Sequence, residues 1–486
     1  MIDKLLNRYK SMAVSAKATL WFLICAFLQK GISFITTPIF TRILNTDEYG
    51  QYNIFNSWLN ILTVIFTLNL YSGVFSRGIV KFYEDKKAFI SAMEGLTTTL
   101  VTVWMAVYLL FREYWNKWIG LSTVQMLLML LLMWTTAVFS FWSMEQRVDL
   151  KYRKLVVLTI CVSIFKPILS IVLVLCAHDK VTARIAGLVI IEFIAYVTLF
   201  LSHIRKGKKF CSKYYWKYAL MFNIPLIPHY LSMSLLNGAD RIMISNMVSE
   251  SAAGIYSLAY SVSQIMVMFN SALMQTLEPW LYKKIKIGDI GNISRIAYPA
   301  FSLIALVNLL LIAFAPEVIA IFAPKEYYEA VWVIPPIAMS SFFTFSYAFF
   351  AAFEFYFEKT KYISIATFVA AGFNILLNYI FIKIYGYLAA GYTTLVSYII
   401  YAMIHYVFMR CICKMYFHNQ QPYDLKIILV ISIAFMSIGF GFLMVYDSFI
   451  LRYLFIFLIV LITVMLKKRI FRVARTIFET RKSTNK

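Results

Sequence analysis

The chain has few acidic side chains and no long polar segment. Only 23 of its 486 residues are Asp or Glu, and charged residues of either sign make up 14%. No stretch between its apolar runs is long enough to form an independent domain, which argues against a soluble enzyme held by a membrane anchor. Walker, HExxH and GxSxG motifs are absent, so the sequence indicates no ATP-driven or hydrolytic site and no enzyme.

The six cysteines are scattered along the chain. Cys411 and Cys413 are separated by one residue, which is the wrong spacing for a CxxC metal or redox site. We therefore expect no structural metal and no bound cofactor. The first apolar run follows a polar segment and precedes Arg42 without a small-residue cleavage site, so no cleavable signal peptide is expected.

What the chain does have is apolar sequence. Hydrophobic residues make up 61% and the mean hydropathy is +0.74, whereas soluble domains are about 45–50% apolar. A bilayer core needs roughly 20 apolar residues per helix. We therefore predict an all-α membrane protein with about fourteen spans, at 17–38, 52–74, 89–111, 120–143, 155–177, 182–202, 218–239, 252–277, 296–316, 330–354, 362–382, 387–409, 426–446 and 450–466.

The distribution of basic residues tests this map. With both ends in the cytoplasm, cytoplasmic segments hold 35 Lys and Arg, the other side holds 9, and Lys30 and Lys166 fall inside spans. Such a bias follows the positive-inside rule. It predicts a multi-pass bacterial inner-membrane protein, and it explains most of the net charge of +23 without nucleic acid.

An internal repeat relates the first six spans to the next six with a shift of 204 residues. Gly50 and Gly254 obey it, as do Gly187 and Gly391. An even number of spans per repeat gives both halves the same orientation, with an axis along the membrane normal. The predicted divisions are a six-helix bundle at 1–204, a second at 205–410, and two extra spans with a basic tail at 411–486.

Polar side chains follow the same shift and predict a water-filled passage between the halves. The second span carries Asn60 on a polar face, and the eighth carries Gln264 in the equivalent position. Helix–helix contact through such residues is the plainer alternative for each one taken alone.

Charged residues within spans are costly unless they are paired or hydrated, so they are candidate functional groups. The basic ones are Lys30, Lys166 and Arg241, and Asn237 lies on the same face as Arg241. A basic passage suits an anionic substrate. Lys166 could instead form a structural bridge with Glu192. Glu192 and Asp240 are candidates for ion coupling, while His229 and His405 are interpreted as hydrogen-bonded packing residues.

Several stretches resemble Wzx-type polysaccharide flippases. They are Lys30–Phe34, Pro38–Leu44, Glu48–Tyr52, Ser76-Arg77, Asn237 with Asp240-Arg241, Tyr385–Tyr387 and Ala390-Gly391. The resemblance covers spans 1 to 12 and implies a MATE-like fold in two six-helix bundles. It also implies export of undecaprenyl-diphosphate-linked oligosaccharide, such as O-antigen or capsule repeat units. Lys30, Arg77 and Arg241 map onto basic positions of the family, in which basic residues lining a central cavity are thought to hold the diphosphate or acidic sugars.

The partners implied are the lipid-linked oligosaccharide, membrane lipid, and a polysaccharide polymerase or chain-length regulator. Two alternatives remain open. A MATE-like multidrug or cation exporter would share the fold but need an acidic or aromatic cavity. A membrane glycosyltransferase or polymerase would carry a large external catalytic loop, whereas the external segments here are short, such as 447–452.

Overall fold

The structure, a computed structural model, describes residues 14–465 and contains no strand within that range. Its α-helices are α1 Val14–Ile43, α2 Thr46–Phe66, α3 Gly73–Lys81, α4 Lys86–Leu110, α5 Arg112–Ile119, α6 Thr123–Val148, α7 Tyr152–Cys176, α8 Lys180–Gly207, α9 Lys213–Asn223, α10 Ile227–Met247, α11 Glu250–Lys286, α12 Ser294–Ala313, α13 Ala315–Phe322, α14 Ala330–Tyr356, α15 Thr360–Tyr385, α16 Ala389–Tyr416, α17 Leu425–Val445 and α18 Phe449–Met465. Short 3₁₀ turns precede α10, α12 and α14.

Side-chain caps fix where several helices begin. Asn45 accepts a hydrogen bond from the backbone N–H of Glu48, and the Glu48 carboxylate accepts one from the backbone N–H of Asn45. Ser122 and Gln125 form the same reciprocal box at the start of α6. Each box satisfies N–H groups that a helix start leaves without partners. Helix α11 begins 204 residues after α2, the shift that the repeat predicts.

Twelve segments within the described range are long and apolar enough to cross a membrane. They include α9 and α10 joined as one, but neither α2 nor α18. The chain is therefore a multi-pass membrane protein, while the number fourteen stays a prediction. The second span was predicted at 52–74, but helix α2 ends at Phe66. Leu68 and Asn69, just after it, have positive φ angles of 50°, which do not continue a right-handed helix.

The chain divides into two compact units, residues 1–234 and 235–486, with the boundary inside α10. The predicted division at 204 and 410 rests on the repeat and stays a prediction. In the first unit an aromatic core closes around Phe66, whose ring stacks on Trp104 at 4.4 Å between centroids. In the second unit α14 is the central helix and is buried along most of its length, with Phe301 of α12 packed against its phenylalanines.

Two glycines related by the repeat, one in each unit, lie where two helices approach each other closely. A Cβ on Gly187 of α8 would lie 2.5 Å from the Cα of Ser170 on α7. A Cβ on Gly391 of α16 would lie 2.9 Å from a ring carbon of Pro336 on α14. Only glycine allows this spacing, which is a common device in membrane helix packing.

The last two helices belong to the second unit and pack against its other helices. Arg452 of α18 is buried and forms an ion pair with Glu317 of α13. The Tyr446 hydroxyl donates to the carbonyl oxygen of Ile312 at 2.6 Å. Many side chains on the outward faces are apolar and exposed, for example Ile384 and Met444 at 62% and 86%. Lipid tails cover such surfaces in a membrane.

Candidate functional site

Lys166 and Glu192 form an ion pair inside the first unit. The Lys166 Nζ lies 2.5 Å from Oε1 of Glu192, and the Thr135 hydroxyl donates to Oε2 at 2.9 Å. The Glu192 side chain is only 8% exposed and that of Lys166 27%. The pairing offsets the cost of two charges within membrane-spanning helices. Both predicted roles, substrate contact for Lys166 and ion coupling for Glu192, are left as predictions.

The two other basic residues predicted in the first unit are Arg77 and Lys30. Arg77 is exposed on the short helix α3, with its guanidinium carbon 5.4 Å from the ring centroid of Phe222. Lys30 lies in α1, but its side chain is outside the part of the chain that the structure describes. Their place in a substrate site therefore stays a prediction.

In the second unit, Arg241 is held by one helix and one aromatic ring. Its Nη1 donates to the carbonyl oxygen of Asn237 at 2.8 Å, and its guanidinium carbon lies 4.0 Å from the Tyr260 ring centroid. The amide oxygen of Asn237 accepts from the hydroxyls of Tyr398 at 3.2 Å and Tyr260 at 3.4 Å. This Arg241 cluster, Asn237, Arg241, Tyr260 and Tyr398, joins α10, α11 and α16. It presents a planar cation whose position is fixed by stacking.

Asp240, the neighbour of Arg241 in sequence, begins a buried polar network. It is 1% exposed and accepts a hydrogen bond from the Tyr256 hydroxyl. Tyr256 also interacts with the buried Thr394. The network continues through the buried side chains Asn374, Asn378, Thr393 and Thr394 on α15 and α16. Sequence reasoning found Asp240 but missed these amides and hydroxyls, although Asn374 and Asn378 stand four residues apart on one apolar helix.

The predicted polar faces are only partly sealed by the protein. Asn53 and Asn56 of α2 donate to carbonyl oxygens four residues earlier on their own helix. Asn60 is exposed, and Gln264 is half-buried one turn beyond Tyr260. Side chains that bond their own helix backbone need no partner helix, so the faces are free to meet water.

Two buried histidines bind carboxylates, and one of them was missed. His203 of α8 places Nδ1 2.6 Å from Glu94 Oε1 and Nε2 3.2 Å from Glu145 Oε2. Because ionised carboxylates only accept hydrogen bonds, this geometry suits a ring with protons on both nitrogens. In the second unit, His405 Nδ1 lies 2.7 Å from Glu354 Oε1, and both side chains are fully buried. The apolar periodicity of one helix does not indicate which residues of other helices contact it, so these partners could not be identified from the sequence.

The connector between α6 and α7 carries the clearest electrostatic effect outside the spans. Burial of Asp149 opposes its charge, yet hydrogen bonds and charge from Lys151 and Lys86 hold its pKa below the ordinary 3.8. In the part of the chain between 14 and 465, no group of three or more His, Cys, Asp or Glu side chains is arranged to hold a metal ion.

The fold is shared with known transporters. It superposes on the structure titled "Lipid II flippase MurJ, inward closed conformation" with a TM-score of 0.65, 16% identity, and coverage of 93% of this chain and 100% of that one. A Vibrio cholerae MATE transporter, VcmN, gives a TM-score of 0.55 at 12% identity, over 84% and 98% of the two chains. The class defined by this fold is that of polytopic helical membrane proteins with a MurJ- and MATE-like arrangement of helices.

The sequence then identifies the family. Residues 15–285, more than half of the chain, match the family described as polysaccharide biosynthesis protein, and the chain belongs to that family. A protein of the Lsg locus of Haemophilus influenzae (strain ATCC 51907 / DSM 11121 / KW20 / Rd) is 21% identical over 366 residues, covering 72% of this chain and 86% of its own.

These findings confirm the predicted all-α transporter fold and the resemblance to Wzx-type polysaccharide flippases. The solved structures that share this fold are titled as flippases or transporters, not as enzymes. They do not test which residues contact a substrate.

Proposed function

We propose that this protein is a flippase that moves undecaprenyl-diphosphate-linked oligosaccharide, such as an O-antigen or capsule repeat unit, from the cytoplasmic to the periplasmic leaflet of the bacterial inner membrane. The observation that carries the proposal is the family match over 15–285, joined to a fold similar to that of a lipid II flippase. A polysaccharide made from lipid-linked units on the cytoplasmic side needs such a step.

The physical task explains why each unit carries polar groups inside an apolar shell. A saccharide cannot cross hydrocarbon, so it must travel along polar protein surface while its lipid tail stays in the bilayer. We propose that Lys30, Arg77, Lys166 and Arg241 contact the anionic headgroup, and that Asn60, Gln264 and Asn237 contact sugar hydroxyls. Cations suit diphosphate, and amides suit hydroxyl groups.

Two sources of energy suit an outward step. A membrane potential that is negative inside favours outward movement of an anion by about 2.3 kcal/mol per charge per 100 mV. A doubly charged diphosphate would gain roughly 4–5 kcal/mol if it crossed the whole field. We further propose that Asp240 or Glu192 binds a coupling ion. A buried carboxylate is costly unless a cation or proton neutralises it, and a conformational change that alters its exposure would alter how tightly it holds that ion.

The lipid-linked oligosaccharide that accumulates when the gene is deleted tests this proposal. We expect a single undecaprenyl-diphosphate-linked unit to build up on the cytoplasmic side, with loss of surface polysaccharide. Restoring the wild-type gene should clear it, whereas Lys30→Ala should reach the membrane in normal amounts and fail to clear it. Unchanged lipid-linked intermediates in the deletion strain would contradict the proposed function.

A multidrug exporter is the second candidate, since the fold also resembles multidrug resistance MATE structures, one with a TM-score of 0.58 at 13% identity. Drug-susceptibility assays separate the two functions. A deletion that sensitises cells to cationic drugs and leaves surface polysaccharide intact would favour export of drugs.

A further inference from the structure

A small pocket lies in the first unit between α1, α6 and α7, and two of its lining residues, Gln29 and Arg147, are exposed. Its polar lining consists of Gln29 and Cys25 from α1, Ser143 and Arg147 from α6, and Thr159 from α7. The cavity has a volume of about 40 Å³, which is room for on the order of three water molecules or one phosphate-sized group. Phe22, from α1, forms part of its apolar wall.

Arg147 supplies the charge of this pocket. Its Nε donates to the Ser143 hydroxyl at 3.4 Å, and its guanidinium carbon lies 5.2 Å from the Phe22 ring centroid. A basic side chain in the last turn of a helix also complements the helix dipole. A dipole alone does not explain why the guanidinium shares a cavity with two hydroxyls and an amide.

The carboxylates next to Arg147 in sequence are engaged with other cations. Glu145 lies 3.2 Å from Nε2 of His203. Asp149 is bound by Lys86 and Lys151. Across residues 14–465, no carboxylate forms an ion pair with Arg147. The guanidinium therefore faces the pocket without a countercharge from the described part of the protein.

The pocket lies at the end of α6 that the distribution of basic residues predicts to be cytoplasmic. There the phosphates of membrane lipids are the nearest abundant anions, and Arg is the residue best suited to bind two phosphate oxygens at once. Apolar walls beside a basic group match a ligand that is charged at one end and hydrocarbon at the other.

We propose that the Arg147 pocket, formed by Gln29, Cys25, Ser143, Arg147, Thr159 and Phe22, binds the phosphate group of a lipid in the cytoplasmic leaflet. Arg147 donates to phosphate oxygens, and Ser143 and Thr159 donate their hydroxyl hydrogens. Under the proposed function, on which this step rests, the lipid is the diphosphate-linked substrate waiting to be moved.

The test measures lipid binding to the purified full-length protein in nanodiscs of neutral lipid. Undecaprenyl diphosphate, phosphatidylglycerol and inorganic pyrophosphate are titrated separately. We expect Arg147→Gln to weaken binding of undecaprenyl diphosphate about tenfold to hundredfold, the range for one charge-assisted contact. Ser143→Ala should weaken it less, and the matched control Arg153→Gln, an exposed arginine on α7, should leave it unchanged.

Each outcome decides something. The proposal is overturned if Arg147→Gln elutes and melts like the wild type and also binds both undecaprenyl diphosphate and phosphatidylglycerol as tightly as the wild type does. Binding of pyrophosphate as tight as that of the lipids also overturns it, because the site would then recognise free phosphate. Arg147-dependent binding of phosphatidylglycerol alone, together with unchanged lipid-linked intermediates in the deletion strain, supports the pocket while the proposed function fails. Intact binding in Arg147→Gln with an accumulated lipid-linked unit in the deletion strain leaves the function standing without the pocket.

Discussion

His405 of α16 and Glu354 of α14 are joined in the middle of the second unit, with 2.7 Å between Nδ1 and Oε1 and no exposed surface on either side chain. Tyr401 and Tyr347 pack against the imidazole, with ring centroids 4.6 and 5.3 Å from its own. The other imidazole nitrogen and carboxylate oxygen have no hydrogen-bond partner among the described residues. The pair therefore depends on one contact.

Removing one member of this pair should be more damaging than removing both. We expect Glu354→Ala to cost about 3–5 kcal/mol of stability, because the imidazole is left buried without its partner. The double variant Glu354→Leu with His405→Phe should recover much of that loss, because no polar group is left over. Thermal unfolding of the purified protein in detergent checks this, with the exposed His418→Gln as control. Equal losses in the single and double variants would contradict the argument.

Lys166 and Glu192 allow a similar comparison with a functional readout. Lys166→Met should destabilise the protein by about 3 kcal/mol, since Glu192 keeps a buried charge, and Lys166→Met with Glu192→Met should restore part of it. Because Lys166 is proposed to contact substrate, we expect the double variant to fold and still fail to restore surface polysaccharide in a deletion strain. Normal surface polysaccharide in that variant would mean that Lys166 only pairs with Glu192 and does not contact the substrate.

Arg241 should not tolerate lysine. Its guanidinium carbon lies 4.0 Å from the Tyr260 ring centroid and its Nη1 donates to the carbonyl oxygen of Asn237, and an ammonium group cannot reproduce both contacts. We expect Arg241→Lys to lose about as much transport as Arg241→Ala, measured by surface polysaccharide. The control is Arg153→Lys, which keeps the charge at an exposed site. Full activity of Arg241→Lys would mean that charge alone matters.

The lowered pKa of Asp149 predicts that the stability of the fold depends on pH in the acidic range. Since Lys151 and Lys86 hold its pKa below 3.8 despite burial, the carboxylate stabilises the fold above that pH and loses its effect as the pH falls through the lower folded-state value. We expect Asp149→Asn to melt a little lower, on the order of 1–2 °C, at pH 6. The difference should close below about pH 4. Asp447→Asn, at an exposed site, should show no such convergence; a gap that widens in acid would refute the assignment.

Gly187 should be intolerant of even one methyl group. Its Cβ would meet the backbone of Ser170, which cannot move as a flexible side chain can. We expect Gly187→Ala to cost about 1–3 kcal/mol. Gly372→Ala on α15 has open space around it and should be neutral or slightly stabilising. Comparison of the two melting temperatures in the same detergent checks the helix approach, and similar values for both variants would speak against it.

The sequence predicted the fold well because a bilayer leaves few choices. Long apolar runs must be helices when every backbone group needs an internal partner. The runs that became α4, α7 and α17 were identified with errors of about one to three residues at their ends. The second span was placed too late in the chain. Its capping box at Asn45 starts the helix earlier, and the positive φ angles at Leu68 and Asn69 end it earlier.

The candidate site was less predictable because partners come from different helices. A bridge between Lys166 and Glu192 was one of the alternatives that the sequence left open, since two opposite charges within neighbouring spans have few other ways to be neutralised. It could not place Asn374 or Thr394 beside Tyr256, nor His203 between two carboxylates. Which faces meet depends on the rotation of each helix about its axis, and an apolar sequence with polar residues on several sides does not fix that rotation.

Helix α11 has 37 residues and, at 1.5 Å per residue, is about 55 Å long, whereas the hydrocarbon core measures about 30 Å. Even when it is tilted, several turns must extend into the headgroup layer or the water beyond. Its final turn holds Lys283, Lys284 and Lys286. Because clustered cations at the end of a membrane helix attract acidic lipid headgroups, the phospholipid composition of the host membrane becomes a variable that any reconstitution of this protein has to control.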